Sequence, residues 1–190
     1  MNQEPQRMPA LAHTEMDAAQ RAAAAELIAG PRKGVKGPFV ALLRSPELLA
    51  RTQKVGEYLR FHGALPARLS EFATLLVARG WTQQFEWAMH VPLALQQGTS
   101  AGTIAALREG QRPPGLSDDE ALVYDFTAEL VAHHGVCDET YARCVQRLGE
   151  RGTVDLVSTI GYFVWMSMLL NVAHTPAAGD DVEPLPLLPR

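Results

Sequence analysis

Cysteine is scarce in this sequence, and the two present are badly placed for redox work. Cys137 and Cys144 lie seven apart on what reads as one helix, which sets their Cα atoms about 10 Å apart. That is beyond disulfide reach. Neither has a CxxC partner, and the usage fits a reducing compartment. Excess charge of one sign is also missing. Lys and Arg number 17 against 21 Asp and Glu, a net charge of −4. Neither nucleic acid nor an anionic membrane is expected as partner. Long runs free of polar residues are absent. The most membrane-like stretch, 154–173, carries Asp155, Ser158, Thr159, Ser167 and Asn171, and reads as a core helix. The opening MNQEPQRMPALAHTEMD has no basic segment leading into an apolar one, the arrangement of a signal peptide. A cytoplasmic location is the expectation. Also lacking are a fixed repeat, a Gly-rich phosphate loop and hairpin dipeptides between alternating apolar runs.

What is there is an ordinary globular composition. The chain has 190 residues, 47% hydrophobic and 20% charged, enough for one domain with a full core. Helix signals run nearly throughout. An Ala-rich segment, 16–30, stops at Gly30–Pro31. After the short run PFVALLR, Ser45 and Pro46 read as N-cap and first residue of a helix ending before Gly63. Segment 66–80 follows, closing on Arg79 and Gly80. Thr82 is the expected cap of a helix over 83–97, with Pro92 inside it as a possible break. Thr99 or Ser100 opens a short helix, and GQRPPG ends it. Ser117 and Glu120 have capping-box spacing. Segments 137–149 and 153–174 complete the set. The reading is an all-α, compact multi-helix bundle of about eight or nine helices, forming one domain over 1–190. A Pro/Leu-rich tail, 175–190, is expected to wrap a neighbour or stay unfolded.

The stretch WTQQFEWAMH, 81–90, sets Glu86 four residues before His90 on a mostly apolar helix. Burying both is costly unless they pair or do chemistry. A short connection makes antiparallel neighbours of the helices on either side. Glu71 lies ten residues before Trp81 and His90 nine after it, so the two should stand level, about 14–15 Å from the turn. Glu86 sits one turn below His90 on the same face. Glu71, Glu86 and His90 thus converge on one seam, with Gln83 near it. A surface Glu–His pair is the rival reading. Phe85, Trp87, Met89, Val91, Leu93 and Leu95 argue for burial on both faces.

Two other readings come from single residues. PRKGVKG, 31–37, carries three basic charges in a Gly/Pro loop. A solvated loop is expected there; an anion clamp is the sharper alternative. His62, His133, His134 and His174 all fall at helix ends, where cationic side chains complement the dipole.

These residues carry a resemblance. The segment resembles the carboxymuconolactone decarboxylase and alkylhydroperoxidase D superfamily of small all-helical proteins. Its peroxidase branch carries Glu, eleven residues, Cys, two residues, Cys, three residues, His. Here Glu71 and His90 match, while Gln83 and Glu86 stand where the cysteines would be. HVPLALQQGTS is similar to the family's His, seven residues, Gly, x, Ser/Thr stretch. The similarity covers 34–107. It implies a non-redox branch without CxxC, because a peroxidase needs a thiolate and a resolving thiol.

The chemistry this implies is acid–base: a lyase or decarboxylase acting on a small lactone or keto acid. His90 would be proton donor or shuttle, Glu71 its orienter or base, and Glu86 a second acid/base. Gln83, Trp87, Tyr162, Trp165 and Asn171 are candidate pocket residues. No cofactor is expected. A metal at Glu71, Glu86 and His90 is a weaker alternative, because the di-iron pattern wants Glu and His at i,i+3, twice. The resemblance further implies a homo-oligomer, trimer or hexamer, with an organic acid or lactone as small-molecule partner. A non-catalytic small-acid-binding oligomer is the alternative.

Overall fold

The computed structural model describes residues 5–179 and 181–187. Among them are eight helices and no strand: α1 Ala18–Ala29, α2 Pro38–Leu42, α3 Pro46–Phe61, α4 Ala67–Gly80, α5 Gln84–Gln96, α6 Ala101–Arg108, α7 Asp118–His133 and α8 Asp138–Ala173. The all-α reading holds. Segments 137–149 and 153–174 join as α8, broken at Gly149, whose φ of 71° and ψ of 170° are not helical.

Helix α4 is the hub. It packs on α5, α6, α7 and α8, and Phe72, Ala73, Leu75 and Ala78 have no exposed surface. It can sit there because its apolar positions recur on every side, with Ser70 and Thr74 bonded within the helix (Thr74 Oγ1 donates to the Ser70 carbonyl, 2.9 Å). Buried charges on its neighbours are paired. Glu120 closes the capping box of α7 with Ser117 and also meets Arg68 of α4 at 2.7 Å. Asp155 of α8 accepts from the Ala64 N–H at 2.6 Å and from Tyr58 Oη at 3.3 Å. It thereby fixes the connection that leads into α4.

Three local expectations are corrected. Thr82 does not cap α5. It adopts a left-handed φ of 47°, and the N-cap is Gln83, whose side-chain oxygen accepts from the Phe85 and Glu86 N–H groups. Pro92 does not end α5, which continues to Gln96; the missing N–H removes one bond, and packing against α4 outweighs that loss. Nor is α5 covered all round, since Met89 and Leu95 are 40% and 46% exposed.

The described part of the tail folds back onto its own chain. Trp87 Nε1 donates to the Glu183 carbonyl at 3.1 Å, and Arg79 Nη1 to the Pro186 carbonyl at 2.8 Å. Gln84 exchanges two 2.9 Å bonds with the Leu185 backbone. Leu185 is buried in the core cluster. Helix α8 is long and apolar enough to cross a membrane by length and composition, but half of its most apolar window is buried inside the molecule.

Candidate active site

The α4–α5 hairpin brings its acids and histidine together as the rise per residue requires. His90 Nδ1 lies 2.6 Å from Glu71 Oε2 on α4, and Nε2 lies 3.3 Å from Glu86 Oε2 one turn below. Glu86 and His90 are only 4% and 6% exposed, so the surface-pair reading falls. The edge of the imidazole also stacks on Phe163 of α8, with centroids 5.0 Å apart.

Burial works against charging this imidazole. Hydrogen bonds and charges from Glu71 and Glu86 together outweigh burial, and the His90 pKa is pushed up to about 9. At neutral pH it is an imidazolium donating one N–H to each carboxylate. Both ring nitrogens thereby have a carboxylate partner. Among the described residues no group of three His, Cys, Asp or Glu is placed to hold a metal.

Glu86 and His90 open onto a cavity of about 230 Å³, below the roughly 300 Å³ at which drug-sized pockets begin. Its far wall is Phe163, Tyr162 and Met166 of α8, and its side wall is the 31–39 segment with Arg32, Lys36 and Phe39. Glu71 does not line it. It sits behind the imidazole and fixes the ring through Nδ1.

Of the other sequence candidates, Tyr162 lines the cavity. Gln83, Trp87, Asn171 and Trp165 do not. Gln83 Nε2 donates to Asn171 Oδ1 at 2.9 Å, and Asn171 Nδ2 to the Trp81 carbonyl at 3.1 Å. These two amides tie the start of α5 to the end of α8. Trp87 is core, with its indole N–H committed to the tail. Neither cysteine lines the cavity; Cys137 is exposed ahead of α8 and Cys144 is buried. His62, His134 and His174 are C-cap residues, and His133 lies in the last turn of α7.

The expectation for the basic loop needs revising. Arg32 is not merely solvated: its guanidinium lies 4.4 Å over the Phe39 ring. Arg32, Arg60 and Phe85 are lining residues that sequence patterns missed. The only signal was the charge of PRKGVKG, which does not say where a loop side chain turns.

Residues 46–129 match the carboxymuconolactone decarboxylase family. The matched segment is similar to that family over less than half of the chain. It runs from the start of α3 into α7 and holds Glu71, Gln83, Glu86 and His90. It begins later and extends further than the 34–107 expected. The carboxymuconolactone decarboxylase match stops short of Tyr162 and the whole of α8, and the Arg32 loop precedes it. No curated protein matches the chain. A second cavity, about 510 Å³, is lined by Val77, Trp81, Leu107, Tyr124 and Val131 among others. It contains no carboxylate or imidazole and offers no acid–base chemistry.

Proposed function

We propose that the chain is an acid–base lyase, a decarboxylase-like enzyme acting on a small lactone or keto acid. The observation that carries this reading is an imidazole clamped between two carboxylates, with one carboxylate and the ring facing a small cavity. An imidazolium with a raised pKa is a proton donor at neutral pH. The bond between the substrate carbon and its carboxylate breaks and carbon dioxide leaves. The electron pair passes into an enolate, and His90 Nε2–H supplies the proton to carbon. Glu86, beside Nε2, returns a solvent proton to the ring. Glu71 is a positioning residue that keeps Nδ1–H fixed and the charge on the imidazole. Gln83 and Glu86, at the cysteine positions of the peroxidase pattern, supply no thiol, so thiol-dependent peroxide turnover is not part of this reading.

The test is carbon dioxide release across a panel of lactone acids and β-keto acids, with wild type beside His90→Gln. Turnover in wild type that drops by about 10³-fold or more in the variant is expected, since proton transfer contributes about 10²–10⁴-fold and substrate binding depends on the same ring. A variant that keeps its rate removes His90 from the mechanism.

A homo-oligomer is proposed alongside. Val154, Val157, Trp165, Met168 and Val172 recur at helical spacing on α8 and are all exposed. A stripe of that kind marks an interaction face. Light scattering at micromolar concentration reads the assembly directly, and a monomer would count against it.

A further inference from the structure

Two side chains that line the same cavity as His90, Arg32 and Tyr162, carry buried polar atoms without partners. Tyr162 is 8% exposed, yet its hydroxyl makes no hydrogen bond among the described residues. The same holds for Nε and Nη2 of Arg32, both buried atoms. A buried hydroxyl or guanidinium without partners is costly, and such groups call for an explanation. The two side chains converge. A Cβ built on Gly56 would meet Tyr162 Oη at 2.3 Å and Arg32 Nη2 at 2.6 Å. Gly56, in the middle of α3, is the residue that leaves room for both. A glycine inside a helix is otherwise unfavourable by about 1 kcal/mol.

Arg32 is held in place without being satisfied. Its guanidinium plane rests on Phe39, which orients the N–H fork and forms no hydrogen bond. Arg60 and Lys36 line the same cavity and add positive charge. Glu86 is the one carboxylate of the lining. The lining here therefore carries more cations than carboxylates, and Arg32 Nη2 and the Tyr162 hydroxyl lie side by side next to Gly56. That matches a planar carboxylate, which accepts two parallel N–H bonds from an arginine fork. A doubly charged phosphate fits less well, because the Glu86 carboxylate shares the small cavity.

We propose that Arg32 and Tyr162 form an anion subsite that binds a carboxylate of the substrate, setting its reacting carbon toward Glu86 and His90. The subsite deepens the lyase reading and rests on it for the word substrate, but binding can be measured without turnover. The carboxylate bonded by Arg32 and Tyr162 is one that stays on the substrate. A leaving carboxylate is better placed away from cations, since ion pairing there stabilises the ground state that must lose its charge.

The test is calorimetric titration of the full chain with malonate, pyruvate, inorganic phosphate and, as uncharged control, methyl pyruvate. Wild type is compared with Arg32→Gln, Arg32→Lys, Tyr162→Phe and His90→Gln, each checked for folding by circular dichroism. Saturable binding of malonate or pyruvate is expected, with little binding of the ester. Arg32→Gln should weaken it by at least about tenfold, as loss of a charge-assisted bidentate contact implies. Tyr162→Phe should weaken it several-fold, and Arg32→Lys should fall between wild type and Gln. His90→Gln should still bind. If Arg32→Gln fails to fold, Tyr162→Phe and Arg32→Lys carry the test. Binding of the ester equal to that of the acid, phosphate as the preferred anion, no saturable carboxylate binding by wild type, or binding unmoved by Arg32→Lys and Tyr162→Phe would each overturn the subsite. Arg32-dependent binding without decarboxylation of any panel member keeps the subsite and sinks the lyase reading.

Discussion

His90 is charged in the interior because two carboxylates reach it from two helices, and each does a separate job. Glu71 holds the buried nitrogen and Glu86 shares the exposed one with the cavity. Two predictions belong at this scale. The folded pKa of about 9 lies above the ordinary value of 6.5. Protonation of His90 therefore contributes stability that is fully present below about pH 6.5 and is lost as pH rises through about 9. The contribution is on the order of 3 kcal/mol. Denaturant titrations of wild type against His90→Gln should converge across that window; parallel curves would mean His90 is not charged when folded. Any turnover should show an alkaline limb near the same pH, where the proton donor is lost. The second prediction concerns Glu71→Gln. It removes a charge but not an acceptor at Nδ1, so the alkaline limb should move down in pH while KM changes little. An unmoved limb with a higher KM would place Glu71 in substrate binding instead.

The Glu71–His90 pairing was legible in sequence because it needs only a short turn and a constant rise per residue. Burial of the pair was inferred from the apolar residues around it. Arg32 was not legible to the same degree. Loop backbones have no period, and what holds Arg32 is Phe39 from the following helix. Tyr162 lines the cavity, while Asn171 on the same helix bonds the turn of the hairpin instead.

At the scale of elements, two caps read from short polar residues form as expected, while Ser45 makes no side-chain cap bond and the Asp17 capping box went unread. Ser100 and Ser117 accept from the N–H groups three residues on. The start of α5 was misread because glutamine is too long for the usual cap pattern. Gln83 folds back on its own backbone and uses its remaining N–H₂ to reach Asn171. Gln83→Ala should therefore cost about 1–2 kcal/mol, a lost cap plus an orphaned amide, read as a shift in urea midpoint. Gln83→Asn keeps a capping oxygen but cannot span to α8, and should recover part of the loss. Equal stability of wild type and Ala variant would remove the cap from the account. Gly149 is a second such point. Its φ of 71° breaks α8, and Gly149→Ala should destabilise by about 1 kcal/mol even though nothing lies within 4 Å of the added methyl.

At the scale of the whole molecule, the tail closes the structure. Its carbonyls accept from Trp87, Arg79 and Arg108, and Arg79 and Arg108 also have acceptors outside the tail. Sequence predicted a tail that covers a neighbour or stays unfolded, because proline-rich segments form no ladder or helix of their own. It did not reveal that the neighbour is the same chain, since the acceptors are backbone carbonyls and carry no residue signature. Removing residues 180–190 should lower stability by on the order of 2 kcal/mol, by stranding buried donors beside α4 and α5. Thermal unfolding measures this, and an unchanged midpoint would make the tail an ornament.

The cavity is assembled from two sources. Two of its lining residues, Glu86 and His90, lie within residues 46–129, whereas Arg32, Lys36 and Tyr162 lie outside them. On the proposed reading, chemistry and choice of substrate would be encoded in separate stretches of chain around one small space. The 31–37 loop can be rewritten, by exchange of its basic residues or its length, without touching the helix that holds Glu86 and His90. Retargeting the protein to acids of a different size or charge then becomes a matter of loop grafting.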